Sequence, residues 1–338
     1  MWGAPFRDTW LNIFDSPMSH YYISDCIVDF ETGLIYKDGQ IFWEAANENM
    51  VWYDGWISGD PRWMNRITRQ DVISERMKKQ TAYLEEKIKN TKEIPQINEG
   101  TTLHLLHPFN RYVFGHIFDT LQKLYIAEKD HLDFKSVLIP NTHEIIDFDL
   151  HLGALGLAEK KIIKSDLGLV RVNYLLFINP LGHPTSFIPE SYLFIRNKYQ
   201  KFFGVEENPV ADKKIFLTRR AGDFRRYLLN DAELEQALKK EGILYFDGKQ
   251  TFKEIVEAFA HASHVAGVHG SLFTNNIYGN EKTKYLEYCP RTRENHTFHH
   301  QYKLCDSYDH ILVDGDENYN INLKIDELLN FYRLKKYI

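Results

Sequence analysis

VAGVHGSLFTNN, residues 265–276, is the stretch on which the reading of the whole chain turns. An apolar strand, VAGV, runs into a turn holding Gly267 and Gly270, and SLFTNN then opens a helix. Glycines at such a turn let backbone approach an anion closely. The first N–H groups of the helix, with their dipole, favour negative charge. Ser271 begins that helix, and Thr274 and Asn275 fall in its first turn, within reach of a phosphate or a sugar. The spacing is not G-x-G-x-x-G and carries no P-loop lysine, so neither a dinucleotide fingerprint nor an ATPase is supported. An ordinary tight turn shows the same letters, and only its context separates the two readings.

That context is an α/β alternation. KIFLT (214–218) reads as a short strand, and residues 243–246, 264–268 and 284–288 read as three more. Asn-Asp-Ala-Glu (230–233) and Thr-Phe-Lys-Glu (251–254) each carry the capping-box pattern that opens a helix. The order predicts a parallel sheet with helices on both faces and a ligand at the carboxyl ends of its strands. Two further groups fall on that rim. Arg219, Arg220, Arg225 and Arg226 follow the first strand and suit bidentate diphosphate contacts, although a solvated basic turn looks the same. Glu287, read as ending the last strand of the unit, either accepts from both ribose hydroxyls or simply faces solvent.

Upstream the chain shows a second rhythm. Residues 1 to about 60 look hairpin-rich, with turn signals at Asp38-Gly39 and Asp54-Gly55, and 63–93 read as a charged helix. From Thr101 follow a strand (TTLHLLH), a helix over 112–127, SVLIP at 136–140, a helix near 146–155, and strands at 162–164 and 175–179. NPLGHPTSF (179–187) reads as a connection between domains. Within the 112–127 helix, His116 and Asp119 are three apart and share a face. One is then able to deprotonate an acceptor hydroxyl while the other orients it, but a plain polar helix face has the same spacing.

Bulk properties narrow the class. A chain of 338 residues, 43% hydrophobic, holds about two domains. A formal charge of −6 and a pI near 6.2 argue against a dedicated nucleic-acid binder. The 20 Tyr and 22 Phe serve either packing or sugar stacking. Cys26, Cys289 and Cys305 form neither a disulfide framework nor a zinc pattern, which fits a reducing compartment. No secretory leader and no membrane-spanning apolar run is read, so the expectation is a cytoplasmic protein without a transmembrane segment. Asp147-Phe148-Asp149 and Asp314-Gly315-Asp316 match the D-x-D of metal-dependent sugar transferases. With 47 acidic residues such matches arise by chance, and both are read as structural. The histidines of HTFHH (296–300) are read as a polar loop.

Taken in order, these segments resemble glycosyltransferase family 61. FGHIFDTL is similar to the family's Gly-His followed by an acidic residue, and LGALGLAEKKII…VNYLLFINP to its middle pattern. IFLTRRAGDFRRYLLNDAEL, then VAGVHGSLFTN and KYLEYCP, resemble its later motifs. The likeness runs from about Thr101 to near Leu312. Ser271-Leu272-Phe273 stands where the family usually has smaller residues, Asp119 replaces a frequent Glu, and the first 100 residues match nothing.

The resemblance implies an α/β protein of GT-B architecture: two Rossmann-like domains facing a central cleft, with an N-terminal β-rich extension. The expected division is 1–100 for the extension, 101–185 for the acceptor side and 186–338 for the donor side, the last helix crossing back. The implied reaction is an inverting, metal-independent transfer from a nucleotide-diphosphate sugar, expected to be UDP-linked xylose, N-acetylglucosamine or another sugar. The acceptor is a hydroxyl of an oligosaccharide or glycoprotein. Asp119, or else His116, would be the base. Arg219 and Arg225, with the N–H groups around Gly270 and Ser271, would meet the diphosphate. Gly267, His269, Thr274 and Asn275 would line the donor site, and Glu287 would hold ribose. No cofactor or metal is expected, and the lack of an anchor points to a bacterial or viral enzyme acting in cytosol. Other readings are a non-catalytic glycan-binding or scaffold protein, a metal-dependent GT-A-type transferase using Asp147 and Asp149, and, further off, a nucleotide-sugar epimerase.

Overall fold

The computed structural model describes residues 19–42, 70–106, 120–140, 147–165, 168–179, 188–219, 227–291 and 304–333. The chain divides into two compact units, Met1–Ser191 and Tyr192–Ile338. Both are mixtures of helices with sheets that contain parallel strands, an α/β fold.

The first unit begins with β1 (His20–Asp29), β2 (Ile35–Lys37) and β3 (Gln40–Ile41), an antiparallel meander. The link from β2 to β3 is Asp38-Gly39, with φ of 51° and 83°. Two consecutive left-handed residues match the right-handed twist of the strands, which is why Asp-Gly turns a hairpin here. After α1 (Gln70–Asn90) come β4 (Gln96–Ile97), β5 (Thr102–His104), α2 (Gln122–Lys129) and β6 (Ser136–Pro140). Then follow α3 (Phe148–Ala154), β7 (Lys161–Ser165) and β8 (Leu169–Ile178). One sheet takes them all in the order β3-β2-β1-β8-β5-β6-β7, with β4 also paired to β8. β8, β5, β6 and β7 run parallel, and β1 lies antiparallel along β8 from His20↔Ile178 to Asp29↔Leu169. The early hairpin residues are therefore strands of this unit's own sheet.

Two polar features of this unit are buried and carry its electrostatics. The Asp29 carboxylate, 0% exposed, accepts from Lys87 Nζ at 2.8 Å and from Thr32 Oγ1 at 2.6 Å. Burial opposes the Lys87 ammonium, but its bonds to Asp29 and Glu31 outweigh that and hold its pKa above the usual range. The pair fastens α1 to the first hairpin, since a buried carboxylate without its cation would be costly. His104 and His151, in contrast, are held neutral. Burial pushes the His104 pKa down to about 3, helped by Lys123, and burial pushes His151 down to about 4.

The second unit takes up most of α4 (Pro189–Phe203), then β9 (Lys213–Leu217), α5 (Asp231–Lys240), β10 (Leu244–Phe246) and α6 (Phe252–Ala260). β11 (Ala262–Val268) leads into a 3-10 helix, η1 (Ser271–Tyr278), and β12 (Lys284–Pro290), β13 (Ser307–Val313) and α7 (Ile325–Arg333) follow. Its five strands are all parallel, in the order β10-β9-β11-β12-β13. One face carries Phe216, Ala266, Val268, Leu286 and Tyr288 against Leu234 and Leu238 of α5 and Leu328, Phe331 and Tyr332 of α7. Toward η1 pack α6 and α4, where Tyr199, Phe252 and Tyr278 form an aromatic cluster with centroids 5.2–5.4 Å apart.

Several expectations are refined. Thr251 caps α6 in a true capping box, its hydroxyl accepting from Glu254 N–H while Glu254 accepts from Thr251 N–H. Asn230 does not cap α5, because its side chain pairs with both backbone groups of Leu323. SLFTNN continues as a 3-10 helix rather than an α-helix, with Gly270 before it in extended backbone at φ 170°. β12 continues past Glu287 to Pro290, and β13 follows it, so Glu287 lies within a strand and not at the end of the last one.

Gly267 holds the middle of the sheet together. A Cβ there would sit 2.5 Å from Leu217 O and 2.6 Å from Leu217 Cβ, both on β9. Gly267→Ala should therefore destabilise the protein by about 1–3 kcal/mol through overpacking, read as a lower urea midpoint with an unchanged slope; an unchanged midpoint would contradict it. The two neutral histidines give a second expectation. Each titrates near 6.5 once unfolded, so below that pH the unfolded chain binds more protons than the folded one. Their stability contribution is intact above pH 6.5 and is lost as pH falls toward 4, by up to about 1.4 kcal/mol per histidine per pH unit. The urea midpoint should fall between pH 7 and pH 5, and fall less in His104→Gln; an equal fall in that variant would remove His104 from the account.

Candidate functional site

The strand order of the second unit fixes where a ligand belongs. From β9 the chain steps outward to β10, then returns past β9 to place β11 on its other side. The connections after β9 and β11 therefore leave in opposite directions. The carboxyl ends of β9 and β11 form the topological switch point at which open α/β sheets bind ligands. Arg219 follows the end of β9, and His269 and Gly270 follow the end of β11. These sequence-predicted residues meet there.

Arg219 reaches across the switch point. A Cβ at Gly270 would lie 2.7 Å from Arg219 Nη1 and 3.3 Å from its Cδ, so the guanidinium rests directly on the glycine. Gly270 is in extended backbone that any residue adopts, so it is needed there for room. Arg219 is half-buried, and its carbonyl accepts from Leu228 N–H at 3.1 Å. Thr218, just before it, is buried and hydrogen-bonds the Asp231 carboxylate at the start of α5. Arg225 lies outside the described residues.

The register also lines up a buried polar group across three strands. Gly267 pairs with Glu287, and Glu287 with His310, so these positions share a sheet face with Tyr308 and His269, each two residues along its own strand. Glu287 is 0% exposed. Its Oε1 lies 2.5 Å from His269 Nδ1, its Oε2 accepts from Tyr308 OH at 2.9 Å, and His310 Nε2 is 3.9 Å from the same oxygen. Burial, followed by the Glu287 charge, raises the Tyr308 phenol well above its ordinary pKa, so it stays a donor. Phe273 of η1 lies over Tyr308, with ring centroids 6.4 Å apart. Both carboxylate oxygens are hydrogen-bonded inside the protein, which places Glu287 behind His269.

The remaining residues divide simply. Ser271 is exposed at the start of η1, while Thr274 and Asn275 are buried within it. Among the described residues the Thr274 hydroxyl finds no hydrogen-bond partner, and neither does the side-chain amide of buried Asn276, a residue the sequence did not single out. Such atoms are costly unless a ligand or ordered water completes them. Tyr308 was also missed, because its place depends on β13. His116 and Asp119 lie outside the described residues, as does HTFHH. Asp147 caps α3 by accepting from Leu150 N–H at 3.1 Å, and Asp149 pairs with Lys164 at 2.8 Å. Asp314 pairs with Arg291, and Asp316 accepts from Asn318 and Asn320. Both D-x-D pairs are thereby engaged in local structure. Among the described residues no helix is long and apolar enough to cross a membrane.

The Glycosyltransferase 61 family model matches residues 114–286, just over half of the chain. The match spans Arg219, Gly267, His269 and Gly270 and stops one residue short of Glu287. No curated protein matches the sequence. With its family pattern running through the switch point just described, the chain belongs to glycosyltransferase family 61.

Proposed function

We propose that this glycosyltransferase moves a sugar from a nucleoside-diphosphate donor, UDP-linked, to a hydroxyl of an oligosaccharide or glycoprotein, with inversion and without a metal ion. In this reading the two units adopt the GT-B arrangement, the second holding the donor and the first taking the acceptor. The observation that carries it is the Arg219 guanidinium lying on Gly270 at the β9/β11 switch point. A fixed guanidinium offers a diphosphate two parallel N–H bonds, aimed at charge as it develops.

Inverting transfer forms one bond, from acceptor oxygen to anomeric carbon, and breaks another, from that carbon to the diphosphate oxygen. The acceptor proton goes to a base, and the bonding electrons leave with the diphosphate, where negative charge grows. Arg219, joined by Arg225 and the N–H groups around Gly270 and Ser271, is proposed to meet that charge, with His269, Thr274 and Asn275 lining the donor site. Asp119 is proposed as the base, with His116 orienting the hydroxyl. Metal independence follows in this scheme because cationic side chains and backbone donors take the neutralising role that D-x-D carboxylates and a divalent ion perform elsewhere.

Titration calorimetry with UDP tests the donor site. Wild-type protein should bind in the micromolar range, and Arg219→Ala should weaken binding by about 10- to 100-fold, the worth of a charge-assisted pair of hydrogen bonds. Unaltered binding in Arg219→Ala would remove the arginine from the site, and no binding of any nucleotide would favour a scaffold. Transfer activity should survive excess chelator; its abolition would overturn the metal-independent scheme.

A further inference from the structure

Glu287 raises a question of charge. It is 0% exposed, and its partners among the described residues are two imidazoles and a phenol. An isolated carboxylate in such a place is strongly unfavourable unless a cation pairs with it or it takes up a proton. Its shortest contact, 2.5 Å, is to His269 Nδ1, at the short end for a charge-assisted bond, and Tyr308 donates to its other oxygen. The phenol supplies a hydrogen bond but no charge. Of the two imidazoles, His269 at 2.5 Å is the one placed to serve as the cation, with His310 Nε2 at 3.9 Å.

We propose that Glu287 is a positioning residue that, with Tyr308, holds His269 as an imidazolium, so that the pair forms a dipole with its positive end at the phosphate-binding rim. The direction follows from register. Glu287 lies level with Gly267, inside the sheet, whereas His269 is two residues further toward the carboxyl end, level with the turn that carries Gly270. Both side chains are buried, and the imidazole belongs to the residue next to Gly270, on which the Arg219 guanidinium rests. With both ring nitrogens protonated, His269 strengthens the field that a leaving diphosphate meets, and no proton need be transferred. The inference rests on the donor-site reading above. Among the described residues, Glu287 lies against this imidazole, backed by Tyr308 and His310, with Arg219 on the neighbouring Gly270.

Two measurements separate this inference from the reading beneath it. Nitrogen-15 spectra of histidine-labelled, nucleotide-free protein, with the signal assigned by its loss in His269→Asn, should show both His269 nitrogens protonated at neutral pH. A far-downfield Nδ1–H resonance should be present in wild type and Tyr308→Phe and absent in Glu287→Gln. A neutral His269 in wild type overturns the proposal whatever the nucleotide does. In calorimetry, Glu287→Gln should bind UDP about tenfold more weakly at neutral pH, with Glu287→Asp restoring part of the loss. Equal affinity in Glu287→Gln would also overturn it. Should Glu287→Gln fail to fold, the wild-type spectrum decides. Should wild type bind no nucleotide, the donor-site reading falls, and the spectrum still reports whether the charged pair exists.

Discussion

Leu217 and Gly267 face each other across β9 and β11 with no room for one more carbon atom. Much of the second unit depends on that closeness. The two strands flank the place where the strand order reverses direction. Their closeness decides whether the side chain leaving β9 is able to cover the turn leaving β11. Arg219 does so, and the missing side chain at Gly270 is what makes the space. Two glycines three residues apart thus perform different tasks: one draws the strands together, the other receives a guanidinium.

The two faces of the same sheet then divide the work. Phe216, Ala266, Val268, Leu286 and Tyr288 alternate along the strands with the residues of the site and close an apolar core against α5 and α7. Their neighbours on the opposite face include Glu287 and Tyr308, buried and hydrogen-bonded to each other, with His310 Nε2 3.9 Å from the carboxylate. A polar group inside a low-dielectric layer is stable only when its members satisfy one another, and that mutual dependence makes it stiff. The apolar face thus supplies cohesion, and the polar face supplies fixed geometry beneath the switch point.

Much of this was legible in the letters. Alternation and capping patterns marked β9 to β12, the Asp-Gly signal marked the β2–β3 hairpin, and Arg219, His269 and Glu287 stood out by type and place. What escaped depends on partners far along the chain. SYDHILV, β13, mixes polar and apolar residues because most of its positions are only half-buried at the sheet's edge, so no clean period betrays it. Without β13 the phenol that completes the Glu287 group has no address. Asn230 carried a valid capping pattern, but Leu323 claimed its side chain, 93 residues away. Glu287 was placed at a strand end because KYLEYCP gives no sign of whether another strand lies beside it.

The sheet of the first unit has a consequence for how the chain assembles itself. Its last strand, β8, is the one that pairs with β1, β4 and β5, and Ser19 N–H reaches Asn179 Oδ1 across 160 positions. During synthesis β1 therefore emerges long before the strand that will cover it, and β5, β6 and β7 wait for their inner neighbour. Pairing between such distant segments is slow, because the intervening loop must close before any contact repays its entropy. The second unit sets a different pace, since each of its strands joins one already made or the next to appear. Residues 169–178 thus act as a late keystone, and the interval before they leave the ribosome is when the nascent chain most needs protection from wrong partners.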